Sequence, residues 1–234
     1  MTYLEPLFWL ALLKIIWINV LLSGDNAVVI AMACRSLPDS MRRTGMILGA
    51  GVAVGMRIAF TAIIAVLLGL PWLRVIGAVA LLYIAIDLVL PEAEGDEGGV
   101  KAHDSLWRAV GTIAVADLVM SLDNVVAIAA VADGNWTLII IGLVISIPMI
   151  IAGAALIMNL LARFPFLVWA GAALLGWVAG EMFVSDIKIH EYLGEALSHT
   201  LEYPAALAGA VLVLAIGWTI TRMRQSAPAS GPHA

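Results

Sequence analysis

The fold is decided by two matching stretches, Asn19-Val-Leu-Leu-Ser-Gly-Asp-Asn-Ala-Val-Val-Ile-Ala31 and Asp117-Leu-Val-Met-Ser-Leu-Asp-Asn-Val-Val-Ala-Ile-Ala129. They align without gaps at a constant offset of 98 residues, and each contains a Ser-x-Asp-Asn motif. The matched motif residues are Ser23, Asp25 and Asn26 in the first copy and Ser121, Asp123 and Asn124 in the second. Self-similarity at a fixed offset indicates an internal structural repeat.

The similarity continues more weakly at an offset of 93 residues. The matched pairs are Gly49 with Gly142, Met56 with Met149, Ile58 with Ile151, Ala59 with Ala152, and Ala80-Leu81-Leu82 with Ala173-Leu174-Leu175. The chain therefore reads as two three-helix repeats, at about 7–90 and 106–187, with one extra helix at about 203–222. Because three is odd, the second repeat enters a membrane from the opposite side. Inverted repeats of this kind are a transporter architecture.

The composition places the chain in a lipid bilayer. Of its 234 residues, 63% are hydrophobic and 12% are charged, whereas soluble domains are roughly 45 to 50% apolar and about 25% charged. We predict an all-α polytopic membrane protein, a single transmembrane domain over residues 1–225 with a disordered tail at 226–234. The seven predicted spans are 7–34, 44–70, 72–90, 106–132, 136–162, 165–187 and 203–222, each able to cross a core that needs about 20 residues.

The orientation follows from the basic residues at the span ends, which collect on the cytoplasmic side. One side holds eight of them: Arg35, Arg42, Arg43, Lys101, Arg108, Arg163, Arg222 and Arg224. The other side holds only Arg74 and Lys188. We predict an outside N-terminus and a cytoplasmic C-terminus in a bacterial inner membrane. The first helix is expected to stay in the mature protein, because no basic region precedes it.

Three carboxylates, those of Asp25, Asp117 and Asp123, fall in the middle of apolar spans, where each costs about 2.5 to 3.5 kcal/mol to insert. On ideal helices Asn19, Ser23 and Asn26 form one stripe, and Asp117, Ser121 and Asn124 form its counterpart. Each motif Asp lies to one side of its stripe, so we expect a local break, which Gly24 would ease in the first copy. Carboxylate, amide and hydroxyl oxygens are ligands for magnesium, calcium or manganese(II) and argue against copper(I).

Further ligand candidates are Glu181 in the sixth span, Asp87 in the third, and the repeat-related Met56 and Met149, whose thioethers would favour manganese. Other roles are open for several candidates. Asn19 and Ser23 could form hydrogen bonds between helices, the two methionines could be packing residues, and Asp87 could reach the membrane interface. Asp186 and His190 read as solvated loop residues.

Lys14 and Arg57 also lie within apolar spans. They are counter-charges to the acids when no metal is bound, or they reach the head groups. The sequence does not choose between these roles. The single cysteine, Cys34, excludes an intramolecular disulfide and a cysteine-based zinc cluster within one chain, and no basic patch indicates nucleic-acid binding.

The doubled motif, Ser23-Gly24-Asp25-Asn26 and Ser121-Leu122-Asp123-Asn124, together with the seven spans, resembles the TerC family of integral membrane proteins. The resemblance is strongest to its short bacterial branch, often labelled YjbE-like, and covers residues 7–222. It implies kinship with the LysE-type exporters and a manganese(II) export activity. The metal residues that it implies are Asp25, Asn26, Asp123 and Asn124, together with Asn19 and Asp117. Here Asn19 and Asp117 differ, so the two halves carry unequal charge.

We therefore predict a secondary transporter, not an enzyme, that exports a divalent metal, with manganese(II) as its substrate. No organic cofactor is expected, and the sequence contains no phosphate-binding loop for ATP. The expected partners are the metal ion and the lipid bilayer, and an oligomer is compatible with the sequence. The alternative is a membrane scaffold or tellurite-type resistance factor whose polar motif is structural.

Overall fold

The computed structural model describes residues 6–21, 24–67, 70–90, 102–132 and 135–226. In these ranges the chain forms nine α-helices and no strands, which confirms the all-helical prediction. The helices are α1 (Pro6–Leu21), α2 (Gly24–Cys34), α3 (Asp39–Leu67), α4 (Leu73–Val89), α5 (Ala102–Ala132), α6 (Trp136–Arg163), α7 (Phe166–Val184), α8 (Ile187–Leu193) and α9 (Glu195–Ser226).

Four helical segments in the described ranges are long and apolar enough to cross a bilayer. These are Asp39–Ile63, Trp136–Arg163, Phe166–Val184 and Ala196–Met223. Every predicted span overlaps a helix, although α1 and α2 are short apolar helices and α4 has 17 residues. The seven crossings therefore stay a prediction. The last helix is longer at both ends than the predicted 203–222.

The helices α1 and α2 both pack against α6, one after the other along its length. Gly142 contacts Ile15 of α1, and Gly153 contacts Ala27 of α2. These contacts are 11 residues apart on α6 and 12 apart on α1 and α2, so the two helices advance together along α6. The break predicted beside Gly24 falls partly on residues 22 and 23, which lie outside the described residues. In the second copy, α5 is helical throughout the motif.

A corresponding contact joins α3 to α5, where Gly49 meets Ile113. A β-carbon added at Gly49 would lie 2.5 Å from the Cδ1 of Ile113, and one added at Gly142 would lie 2.5 Å from the Cγ2 of Ile15. Since real β-carbons do not approach so closely, a larger residue at either position would force the facing isoleucine to shift. The two glycines differ by 93 in number and the two isoleucines by 98, which are the offsets found in the sequence.

Asp186 corrects a prediction, because its side chain is only 1% exposed and is not a solvated loop residue. Its carboxylate accepts hydrogen bonds from the backbone N–H groups of Trp72, Arg74 and Val75 at the start of α4, at 3.1 to 3.4 Å. It also accepts one from the N–H of Lys188 in α8, at 2.9 Å. The first N–H groups of a helix have no partner within that helix, so this one carboxylate caps two helices.

The buried side chains form three apolar clusters that follow one another along α5. Near its start, one cluster joins α5 to α2, α3 and α6; at its middle, another joins it to α2, α4 and α7; near its end, the third joins it to α1, α3 and α6. Buried apolar side chains thus pack against α5 along its length.

Candidate functional site

A buried ion pair joins Arg57 of α3 to Asp117 of α5. The guanidinium Nη2 of Arg57 donates to Oδ1 of Asp117, and the two residues are 1% and 4% exposed. The hydroxyl of Ser121, one turn further along α5, donates to the other carboxylate oxygen at 3.1 Å. Both oxygens of Asp117 therefore have a donor. Removing one partner of such a pair typically costs about 3 to 5 kcal/mol, because the other charge stays buried.

Asp25 lies in the first turn of α2, a helix that packs against α5. Its carboxylate accepts a hydrogen bond from the backbone N–H of Asn26 at 2.8 Å. Both residues belong to the first turn of α2, where unpartnered N–H groups and the helix dipole favour a negative charge. The carboxylate of Asp25 thus lies at a helix end that stabilises its negative charge.

Asn26 has the most unusual environment in the site. Its side chain is 4% exposed, and neither its amide nitrogen nor its amide oxygen has a hydrogen-bond partner among the described residues. A buried polar group without a partner costs about 1 to 3 kcal/mol, so such groups call for an explanation. An amide oxygen next to a carboxylate is a suitable ligand for a hard divalent cation.

Hydrogen bonds join two pairs of the predicted site residues, Asp25 with Asn26 on α2 and Asp117 with Ser121 on α5. Ser23 lies outside the described residues, and so do the side chains of Asn19, Asp123 and Asn124. Among the described histidines, cysteines, aspartates and glutamates, no group of three is arranged to hold a metal ion. The full ligand set proposed from the sequence stays a prediction.

The remaining candidates have other surroundings. Glu181 accepts a hydrogen bond from the indole Nε1 of Trp177 at 2.6 Å, and that indole lies beside Tyr203 of α9. Asp87 is exposed on α4, Met56 is half-buried, and Met149 is 48% exposed on α6. No contact recorded for the described residues joins these four side chains to Asp25 or Asp117, and their role as ligands stays a prediction.

The structure chooses between the two roles that were open for the basic residues. Arg57 is a counter-charge, because it is buried and paired with Asp117, whereas Lys14 is exposed on α1. A sequence signal for this pairing existed. The repeat offsets place Ile150 opposite Arg57 and Asn19 opposite Asp117, so the second interface lacks both charges. Opposite charges present on α3 and α5, and absent at the matching positions of α6 and α1, could have predicted the pair.

Comparison with known proteins shows the family to which the chain is similar. The profile of a family described as "Integral membrane protein TerC family" matches residues 4–226. The chain is 44% identical to the uncharacterized membrane protein YjbE of Bacillus subtilis over 192 residues, which cover 82% of this chain and 87% of YjbE. It is 27% identical to YceF of the same organism, over 76% of this chain and 72% of YceF.

A more distant similarity relates the chain to the UPF0053 inner membrane protein YoaE of Escherichia coli. The two are 27% identical over 141 residues, which cover 53% of this chain and 27% of YoaE. No solved structure matches the chain. The names of these relatives describe membrane proteins, and none of the names states a substrate.

Proposed function

The chain belongs to the TerC family of integral membrane proteins, and from this premise we propose that it is a secondary transporter that exports manganese(II) from the cytoplasm. It uses no ATP, so transport runs on an ion gradient or on the gradient of the metal itself. The protein lies in the bacterial inner membrane with its N-terminus outside and its C-terminus in the cytoplasm.

The observation that carries the proposal is the unpartnered amide of Asn26 beside the carboxylate of Asp25. Burying a polar side chain in an apolar protein without a partner is costly in the ion-free state. An ion that accepts the amide oxygen as a ligand recovers that cost. A structural role for the motif offers no such recovery, because hydrogen bonds between helices would have used the amide.

The donor set fits a hard divalent cation. Carboxylate and amide oxygens suit magnesium, calcium and manganese(II), while copper(I) prefers sulfur ligands. We assign Asp25, Asn26, Asp123 and Asn124 as the ion ligands, with Asn19, Asp117 and the serines close by. Manganese(II) is the proposed substrate because the resemblance to the family implies it and the ligand chemistry allows it.

The helix packing supports an inverted repeat. The contacts Gly49–Ile113 and Gly142–Ile15 are related by the same offsets as the two motifs. Packing of α3 on α5 thus corresponds to packing of α6 on α1. In transporters with this architecture the substrate site lies at the repeat interface, and one repeat rocks against the other to expose it to either side. On this proposal, Asp25 and Asp117 lie at that interface.

A second candidate is a membrane scaffold or tellurite-type resistance factor, and the Arg57–Asp117 pair favours it, since a buried pair also locks two helices together. This reading predicts no metal binding. It also predicts that a neutral residue at Asp25 is harmless, because Asp25 is not a hydrogen-bonded partner of Arg57 in the described contacts.

Calorimetric titration of the purified protein with manganese(II) distinguishes the two. We expect about one ion per chain, since two motif carboxylates neutralise one divalent charge, with calcium and magnesium competing poorly. Asp25→Asn and Asp123→Asn should each abolish most of the binding and the manganese tolerance of cells, at normal protein abundance. Asp39→Asn, at an exposed site on α3, is the control. Binding and tolerance that survive both site variants would refute the proposal.

A further inference from the structure

Arg57 is the largest fully buried side chain in the described core. Its guanidinium binds Asp117, whose second oxygen is held by Ser121, a residue of the second Ser-x-Asp-Asn motif. A guanidinium stays protonated at every physiological pH, so Arg57 brings a permanent positive charge into the site. A site that is meant to receive a cation thus already contains one.

The two repeats differ at the position of this charge. At the related interface the position of Arg57 is taken by Ile150 and that of Asp117 by Asn19. Both charges therefore distinguish the first interface from the second, and they face each other. Arg57 and Asp117 thus form a charge pair that is missing at the matching positions of the second interface. Neither residue belongs to a Ser-x-Asp-Asn motif.

We propose that Arg57 is a tethered counter-cation of the ion site, which holds Asp117 in the ion-free protein and yields that carboxylate to the transported divalent ion when the ion binds. The inference rests on the proposed transport function. In the ion-free protein, Arg57 prevents the carboxylate of Asp117 from persisting as an uncompensated charge in an apolar surrounding. In the ion-bound protein, it leaves Asp117 free to approach the ion as a third carboxylate beside the two of the motifs.

Two effects on transport follow from this competition. Arg57 weakens the binding of the ion, because the ion must displace it from Asp117, and this helps release. It also compensates the charge of Asp117 while the empty carrier returns across the membrane. Loss of the guanidinium charge should therefore tighten binding and slow turnover, a combination that a purely structural residue does not produce.

The test is titration of the purified full-length protein with manganese(II) alone. Arg57→Gln keeps a hydrogen-bond donor for Asp117 but removes the charge, and it should bind manganese(II) at least tenfold more tightly while cells lose manganese tolerance. Arg57→Lys keeps the charge and should stay within about threefold of the wild-type affinity. Arg43→Gln, at an exposed position on the same helix, should leave both affinity and tolerance unchanged. Equal or weaker binding by a folded Arg57→Gln protein would overturn the proposal.

A second variant guards against misfolding of the first. Arg57→Gln combined with Asp117→Asn removes both charges, leaves no buried ion unpaired, and should lose the tenfold gain because the contested carboxylate is gone. A gain that persists in this variant would refute competition for Asp117.

The wild-type protein supplies a third measurement, in which manganese(II) should shift a guanidinium infrared band that is absent from the spectrum of Arg57→Lys. No shift would refute displacement. A wild-type protein that binds no manganese(II) would instead overturn the proposed function.

Discussion

Replacement of Asn26 by leucine tests whether its side-chain amide is an ion ligand or a structural group. The two side chains have the same branching at the γ position, so Asn26→Leu removes the polar atoms without leaving a large cavity. In the described contacts neither polar atom of Asn26 has a hydrogen-bond partner. Its loss should therefore not weaken the fold of the ion-free protein.

The replacement should change the stability of the protein and its affinity for the ion in opposite directions. An unpartnered buried amide costs about 1 to 3 kcal/mol, so the free energy of unfolding should stay equal or rise by up to that amount. Repacking around the larger leucine reduces the gain. Loss of one ligand should weaken manganese(II) binding about 10- to 100-fold, which corresponds to about 1.4 to 2.7 kcal/mol.

Two assays on the same detergent-solubilised protein check this prediction. Thermal unfolding without metal reports stability, and calorimetric titration with manganese(II) reports affinity. Asn159→Leu is the matched control, because Asn159 is exposed on α6. The control should change neither quantity appreciably.

A different outcome would refute the reasoning. If Asn26→Leu unfolds several degrees lower and binds manganese(II) as tightly as the wild type, the amide has a structural partner and is not a ligand. The scaffold alternative would then gain support.

Two further predictions concern the framework around the site. Asp186→Ala should lower the free energy of unfolding by about 2 kcal/mol, because its carboxylate caps both α4 and α8, whereas Asp39→Ala in an exposed pair should leave the unfolding temperature unchanged; an equal effect of both would argue against the double cap. A reporter active only in the cytoplasm should work when fused after Arg224 and fail when fused near His190, and the reverse pattern would invert the proposed orientation.

The motif, the repeat offsets and the helical class could be predicted from the sequence because they depend on neighbours along the chain. A buried helix in lipid needs a continuous apolar run, and an internal duplication leaves matching residues at a constant spacing. Asp25, Asn26, Asp117 and Ser121 were identified on these grounds. The same grounds identified the TerC resemblance, which the match over residues 4–226 confirms.

Tertiary structure decided which residues meet and which partner each has, although the repeat offsets carried a signal for the pairing of Arg57 with Asp117. Arg57 and Asp117 are 60 residues apart, and Asp186 reaches Arg74 across 112, so no local pattern specifies either contact. Asp186 was predicted to be a solvated loop residue because the sequence shows only that it follows a helix. The sequence does not show that the first N–H groups of α4 lie beside its carboxylate. Only folding brings those groups together, because the free energy of satisfying a buried donor or charge depends on where the chain places its partner.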